Sequence, residues 1–303
     1  MKRALLAVVI AAGCNVGSGS AGGGGQQDVD AAVGTADAPS GTEPDAPAAD
    51  DPTAGVDWYP WPEQQPTFGQ ASYGADLNDI GKHLPAMYGT QYWFDGDGMT
   101  SGHETSHGIH AHLRNYENHT GTRANAFYVL GNKAAFVTEP NIRKSDIKAR
   151  IPTSLRGPRY QLYLVEQTAW DDTPLYVFDE WNAYVNGAEV AIDQVQHGLY
   201  TQGWTDAVMG PLEFTAYAIA TAKTISELDP QYFASNVQFK RFTAWNIKRA
   251  MALYEQGRVM SQFMWADKDA YAVKFRTGAD ADALRQFART TWGVAWCQTI
   301  LGF

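Results

Sequence analysis

The chain has 303 residues, of which 33 are acidic and 23 are Lys or Arg, so its formal net charge is −10. A negative balance of this size gives no support for nucleic-acid binding. Only two cysteines are present, Cys14 and Cys297. A metal site built from several thiolates is therefore excluded, and any metal ligands must come from His and carboxylate side chains.

The N-terminus has the pattern of an export signal. Lys2 and Arg3 precede the apolar run 4–12, which is too short to span a bilayer. The small residues that end at Cys14 resemble a bacterial lipobox. The resemblance implies a signal peptide over 1–13, lipidation of Cys14 and a location in the bacterial cell envelope, and Asn15 favours the outer membrane. The alternative is an ordinary secretory signal with an incidental cysteine.

Residues 14–55 form a different segment. They are rich in Gly, Ala, Asp and Pro, carry no Lys or Arg and have almost no large apolar side chain. Such a composition cannot bury enough surface to offset the entropy of ordering, so we predict a disordered acidic linker. Residues 56–303 are rich in aromatic side chains and are long enough for one domain with a sizeable core.

Within that domain the patterns predict mainly helices and a small sheet, which is an α+β fold. Residues 57–95 are predicted to be irregular and to wrap the core. The other elements, in chain order, are a helix over 100–117, a β-hairpin of 125–130 and 134–138, helices over 173–196, 210–226 and 236–256, a strand over 271–275 and a helix over 280–291.

The first predicted helix carries the pentapeptide His103-Glu104-Thr105-Ser106-His107. Residues four apart lie on one face of a helix, so His103 and His107 can bind one metal ion together. Glu104 lies between them and can reach a water molecule on that ion. The spacing predicts a site for one Zn²⁺ ion, with Glu104 as the general base.

A catalytic zinc site needs a third protein ligand. Burying an unpaired carboxylate is costly, so we searched the helices for an acidic residue on an apolar face. Glu180 fits best because Tyr184, Gly187 and Ala191 follow it at helical spacing. Glu213 is the alternative by the same reasoning. Pairing with Arg or with a helix N-terminus would also explain either carboxylate.

His103, Glu104, His107 and Glu180, with 72 residues between the last two, resemble the zincin metallopeptidases whose third ligand is a downstream Glu. The matching stretch covers about 80 residues, and Asp179-Glu180-Trp181 is similar to the Glu-bearing helix of several such families. The metzincin pattern is absent.

The zincin resemblance implies a zincin-like domain with the sheet beside the active-site helix, and zinc-dependent hydrolysis of peptide bonds in a peptide or protein substrate. It also implies an oxyanion donor, for which Tyr184 is the choice and Tyr217 and His197 are alternatives.

Three residues are predicted to lie in an outer layer around the metal. His110 is seven residues after His103 and close to the same face, so it either supports the site or contacts substrate. Asp179 either orients a ligand histidine or favours its helix N-terminus. Glu213 belongs to this layer if Glu180 is the ligand. Two other functions stay open, namely a non-catalytic envelope lipoprotein that binds glycan or protein, and a zinc amidase acting on cell-wall peptides.

Overall fold

The computed structural model describes residues 51–88, 97–202, 205–264 and 267–303. The predicted signal peptide, Cys14 and most of the predicted linker lie outside these residues. Residues 51–55, which the sequence assigns to the end of the linker, form a turn at which Arg241 donates a hydrogen bond to the carbonyl of Gly55. All described residues belong to one compact unit.

The fold is mainly helical with one small antiparallel sheet, as the sequence predicts. The strands are β1 (Tyr59–Pro60), β2 (Ala124–Tyr128) and β3 (Lys133–Thr138), in the order β1-β3-β2. The helices are α1 (Gly74–His83), α2 (Gly98–His112), α3 (Lys144–Arg150), α4 (Tyr176–Gln196), α5 (Met209–Leu228), α6 (Pro230–Ser235), α7 (Val237–Gly257), α8 (Lys268–Thr277), α9 (Asp282–Trp292) and α10 (Val294–Ile300).

The start of helix α2 is fixed by a side-chain cap. The Asp97 carboxylate accepts a hydrogen bond from the backbone N–H of Thr100 at 2.8 Å, which satisfies one of the free donors of the first turn. The helix continues into a π-helical turn over Leu113–Glu117. The prediction of a helix over 100–117 is therefore confirmed.

The predicted hairpin is also confirmed, and it lies against α2 and α4. Ala126 of β2 pairs with Phe136 of β3, and both side chains are buried. The carbonyl of Tyr128 accepts hydrogen bonds from the side chains of Asn182 and Asn186 on α4. This end of the β2 edge is thus covered by α4, so it does not offer the Tyr128 carbonyl to an extended peptide.

Two predictions of secondary structure are wrong. Residues 271–275 form part of helix α8 and not a strand, because Tyr271 and Phe275 are four residues apart and both face the core. The region 57–95 is not wholly irregular, since α1 lies within it. Leu77 and Ile80 place a short apolar face of α1 in the core. Among the described residues, no helix combines the length and apolar character of a membrane span.

Candidate metal centre

Helices α2 and α4 bring three candidate metal ligands to one point. The Nε2 atoms of His103 and His107 are 3.1 Å apart. Oε2 of Glu180, the fifth residue of α4, lies 3.6 Å from Nε2 of His103 and 3.3 Å from Nε2 of His107. The structure therefore places the preferred third ligand of the sequence analysis directly beside the histidine pair.

These separations fit a tetrahedral zinc site. Bonds of 2.0–2.2 Å at tetrahedral angles hold neighbouring ligand atoms about 3.3–3.6 Å apart. Both distances to Glu180 lie in this range, and the two nitrogens, 3.1 Å apart, are slightly closer. Glu180 is only 4% exposed, and its Oε2 has no hydrogen-bond partner among the described residues. A buried carboxylate oxygen without a donor is costly, and a cation at this point would satisfy it.

The two helices can approach so closely because glycines face their neighbours. A Cβ atom on Gly187 of α4 would lie 2.8 Å from the backbone oxygen of Met99 in α2. A Cβ atom on Gly102 of α2 would lie 2.9 Å from a methyl group of Val190. A larger residue at either position would push the helices apart, and with them the histidines and Glu180.

Asp179 holds the outer layer of the site. Its Oδ1 accepts hydrogen bonds from Nδ1 of His107 at 2.8 Å and from Nδ1 of His110 at 2.7 Å. Its Oδ2 accepts from Arg114 at 2.9 Å, and Arg114 also donates to Asn125 on β2. A carboxylate bonded to Nδ1 leaves the Nε2 atom of the histidine free for a metal. Asp179 and His110 thus lie where the sequence predicts an outer layer.

The pKa shifts of His107 and Glu180 show that the site favours a bound positive charge. Burial alone would lower the pKa of His107, but the carboxylates of Glu180 and Asp179 outweigh burial and raise it well above its usual value. Burial opposes ionisation of Glu180, yet His107 and His103 lower its pKa to about 2. Both carboxylates therefore stay ionised, and either a proton on His107 or a metal ion can balance them.

Glu104 is partly exposed beside the cluster, as a general base must be to reach water. A neighbouring residue, Tyr176, was missed in the sequence. Its ring is parallel to the ring of His107, with the centroids 6.3 Å apart. Burial and the charges of Glu180, Asp179 and Glu104 raise the pKa of its hydroxyl, which stays a proton donor. The sequence feature that could have identified Tyr176 is its position four residues before Glu180, which places both residues on the same face of α4.

Tyr184, the oxyanion donor chosen from the sequence, lies on the other side of the site. Its ring packs edge-on against His103 at 4.5 Å between centroids. Its hydroxyl lies 3.1 Å from that of Tyr163, and the guanidinium of Arg159 lies 4.7 Å from its ring centroid. Tyr184 therefore packs against His103, and its hydroxyl shares a hydrogen bond with that of Tyr163.

The remaining candidates lie apart from the histidine pair. Glu213 is fully buried, pairs with Arg159 at 3.3 Å and accepts a hydrogen bond from Tyr217 at 2.5 Å. His197 is at the far end of α4, and its side chain is 64% exposed. Two shallow clefts of about 330 and 350 Å³ are found in the described residues, and neither is lined by the three ligands.

No protein-family model matches the chain, and no curated protein and no solved structure matches it. The function must therefore be argued from the side chains of this site.

Proposed function

We propose that the chain is a zinc-dependent hydrolase of peptide bonds, with the ion held by His103, His107 and Glu180. The observation that carries the proposal is the buried Oε2 of Glu180, which has no hydrogen-bond donor within the described part of the chain and lies at ligand spacing from two Nε2 atoms. The His-Glu-x-x-His pattern and the outer carboxylate Asp179 support the same conclusion.

The chemistry divides between the ion and the side chains of the chain. Zinc in such a site supplies a water molecule of lowered pKa and a positive charge for the oxyanion. Glu104 takes the proton of the attacking water and then delivers it to the leaving amine. Asp179 keeps the imidazole of His107 oriented through Nδ1. The peptide carbonyl enters from the partly exposed side, where Glu104 and Tyr176 lie.

We assign the oxyanion donor to Tyr176 and not to Tyr184. Among the described residues no partner accepts a hydrogen bond from the Tyr176 hydroxyl, whereas the Tyr184 hydroxyl lies against Tyr163. Tyr176→Phe is expected to lower kcat/KM for peptide cleavage about 10²–10³-fold with unchanged zinc content. Tyr184→Phe, which removes the same atom from the opposite wall, should cost far less. Equal losses in the two variants would refute this assignment.

Metal analysis of the purified full chain tests the proposal itself. We expect about one zinc per chain, because three ligands define one tetrahedral ion. His103→Ala and His107→Ala should each lose it, since two ligands remain. His197→Ala is the matched control, because the same substitution removes an exposed histidine at the far end of α4. A wild-type chain that binds no zinc, or alanine variants that retain it, would refute the site.

A zincin-like architecture forms part of this proposal. It is supported by the motif helix α2, the glutamate on the later helix α4 and the antiparallel hairpin packed beside both. The export signal and the lipid anchor at Cys14 remain predictions from the sequence, as does action on peptides or proteins in the cell envelope.

A further inference from the structure

A buried hydrogen-bond chain runs from helix α7 to the outer carboxylate of the metal centre. Arg249 Nη1 lies 3.4 Å from Oδ1 of Asn182, and Nδ2 of Asn182 lies 3.1 Å from Nε2 of His110. Nδ1 of His110 lies 2.7 Å from Oδ1 of Asp179, the same oxygen that receives His107. Asn182 and His110 have no solvent exposure. These hydrogen bonds therefore link helices α7, α4 and α2 through groups that water does not reach.

Arg249 determines which group donates and which accepts in each of these hydrogen bonds. A guanidinium is always protonated and only donates, so Arg249 requires an acceptor and Asn182 must present Oδ1 to it. The amide nitrogen of Asn182 then faces both the carbonyl of Tyr128, at 2.6 Å, and Nε2 of His110. The flipped amide would bring oxygen against the Tyr128 carbonyl and NH₂ against the guanidinium, which are two repulsive contacts.

This orientation also fixes the protonation state of His110. An amide nitrogen only donates, so Nε2 of His110 must accept from Asn182 and cannot carry a proton. Among the described residues, the one other hydrogen-bond partner of Nε2 is the carbonyl of Tyr128 at 3.4 Å, which already accepts from Asn182 and Asn186. His110 is therefore neutral, and its one proton is on Nδ1, where it is donated to Asp179.

We propose that His110 and Asn182 are positioning residues that set the zinc affinity of the chain by holding Asp179 in place. The inference rests on the proposed function. Asp179 must keep one oxygen aimed at His107, and a carboxylate bonded only by His107 and Arg114 could rotate away from that ligand. The donated proton of His110 fixes Oδ1 from a third direction. Asn182 guarantees that this proton is on the correct nitrogen.

Variants at position 110 separate the hydrogen bond from the bulk of the ring. His110→Leu removes the donor to Asp179 and is expected to weaken zinc binding about tenfold, the lower end of the range for outer-layer partners. His110→Asn places an amide N–H near the former Nδ1 and should recover most of the affinity. The zinc Kd of the full chain is measured by competition with a chelator. Equal affinities in wild type and His110→Leu would overturn the proposal.

A matched pair on α4 controls for the loss of buried amides. Asn182→Ala and Asn186→Ala remove the same group one turn apart, both fully buried and both donating to Tyr128. Asn186 donates otherwise to Ser106, and none of its hydrogen bonds in the described structure involves His110. Both variants should lower the unfolding temperature, but only Asn182→Ala should weaken zinc binding, by severalfold. Equal loss of zinc affinity in both would show a merely structural role and overturn the proposal.

The tautomer of His110 gives a test that needs no folded variant and no zinc. In the metal-free full chain labelled with ¹⁵N-histidine, His110 should show a protonated Nδ1 and an unprotonated Nε2. A proton on Nε2 would overturn the inference even if the chain binds zinc. If the wild-type protein binds no zinc while His110 has the expected tautomer, the proposed function is refuted, but the hydrogen bonds from Arg249 to Asp179 are still as described. The two failures are thus distinguishable.

Discussion

Glu104→Gln is expected to leave the zinc content of the chain unchanged and to lower kcat for peptide cleavage by about 10²–10⁴-fold. Glu104 is not one of the three clustered ligands, so the amide should not disturb the metal. Glutamine keeps the size and polarity of the side chain but cannot accept the proton of the attacking water. Loss of turnover with retained zinc would thus separate proton transfer from metal binding.

The substrate for this measurement is a mixed pool of unstructured peptides, with cleavage followed by mass spectrometry. Glu117→Gln is the control, because the same substitution is made on the extension of the same helix. Glu117 receives a hydrogen bond from Tyr59 and belongs to no ligand cluster, so its variant should cleave as wild type does. Full activity in Glu104→Gln would contradict the role of general base, whatever the metal content.

Local sequence patterns were sufficient where a local cause determines the structure. The hydrogen bond from Thr100 to Asp97, three residues before it, fixes the start of α2. Two short β-rich runs joined by Gly131-Asn132-Lys133 predict the hairpin. The strand predicted over 271–275 failed because a short aromatic run suits either period. There the packing of Tyr271 and Phe275 in the core selected the helix α8.

In the candidate site, too, the sequence predicts what depends on local spacing but not what depends on helix packing. His103, Glu104 and His107 come from one helical turn, so their spacing alone predicts their common role. Glu180 required an argument about burial, which left Glu213 open because both are carboxylates on apolar helix faces. No local pattern could choose between them, since the choice depends on which helix packs against α2.

The outer layer was harder still. The hydrogen bond from Asn182 to His110 joins residues 72 positions apart, and its direction is set by a guanidinium on a third helix. Such a chain of donors has no signature in the sequence. It can be derived only once the helices are packed, because each donor determines the state of the next acceptor.

Glu180→Gln and Glu213→Gln should therefore differ in zinc binding. Glu180→Gln is expected to weaken zinc binding by more than the roughly 10–100-fold that changes in outer-layer partners cost, because it removes a ligand. Its metal-free form should also lose stability near neutral pH, because Glu180 and a protonated His107, 3.3 Å apart, stabilise each other's charges. Zinc binding is therefore the measurement that separates the two variants.

Glu213→Gln is expected to retain one zinc per chain and to lower the free energy of unfolding by about 3 kcal/mol, the lower end for a broken buried ion pair. The loss stays at that end because Arg159 keeps Asp206 as a second partner. Zinc content and chemical denaturation of the metal-free proteins are measured side by side. Loss of zinc from Glu213→Gln with retention in Glu180→Gln would make Glu213 the third ligand. It would also contradict the site described above, because Glu213 is paired with Arg159.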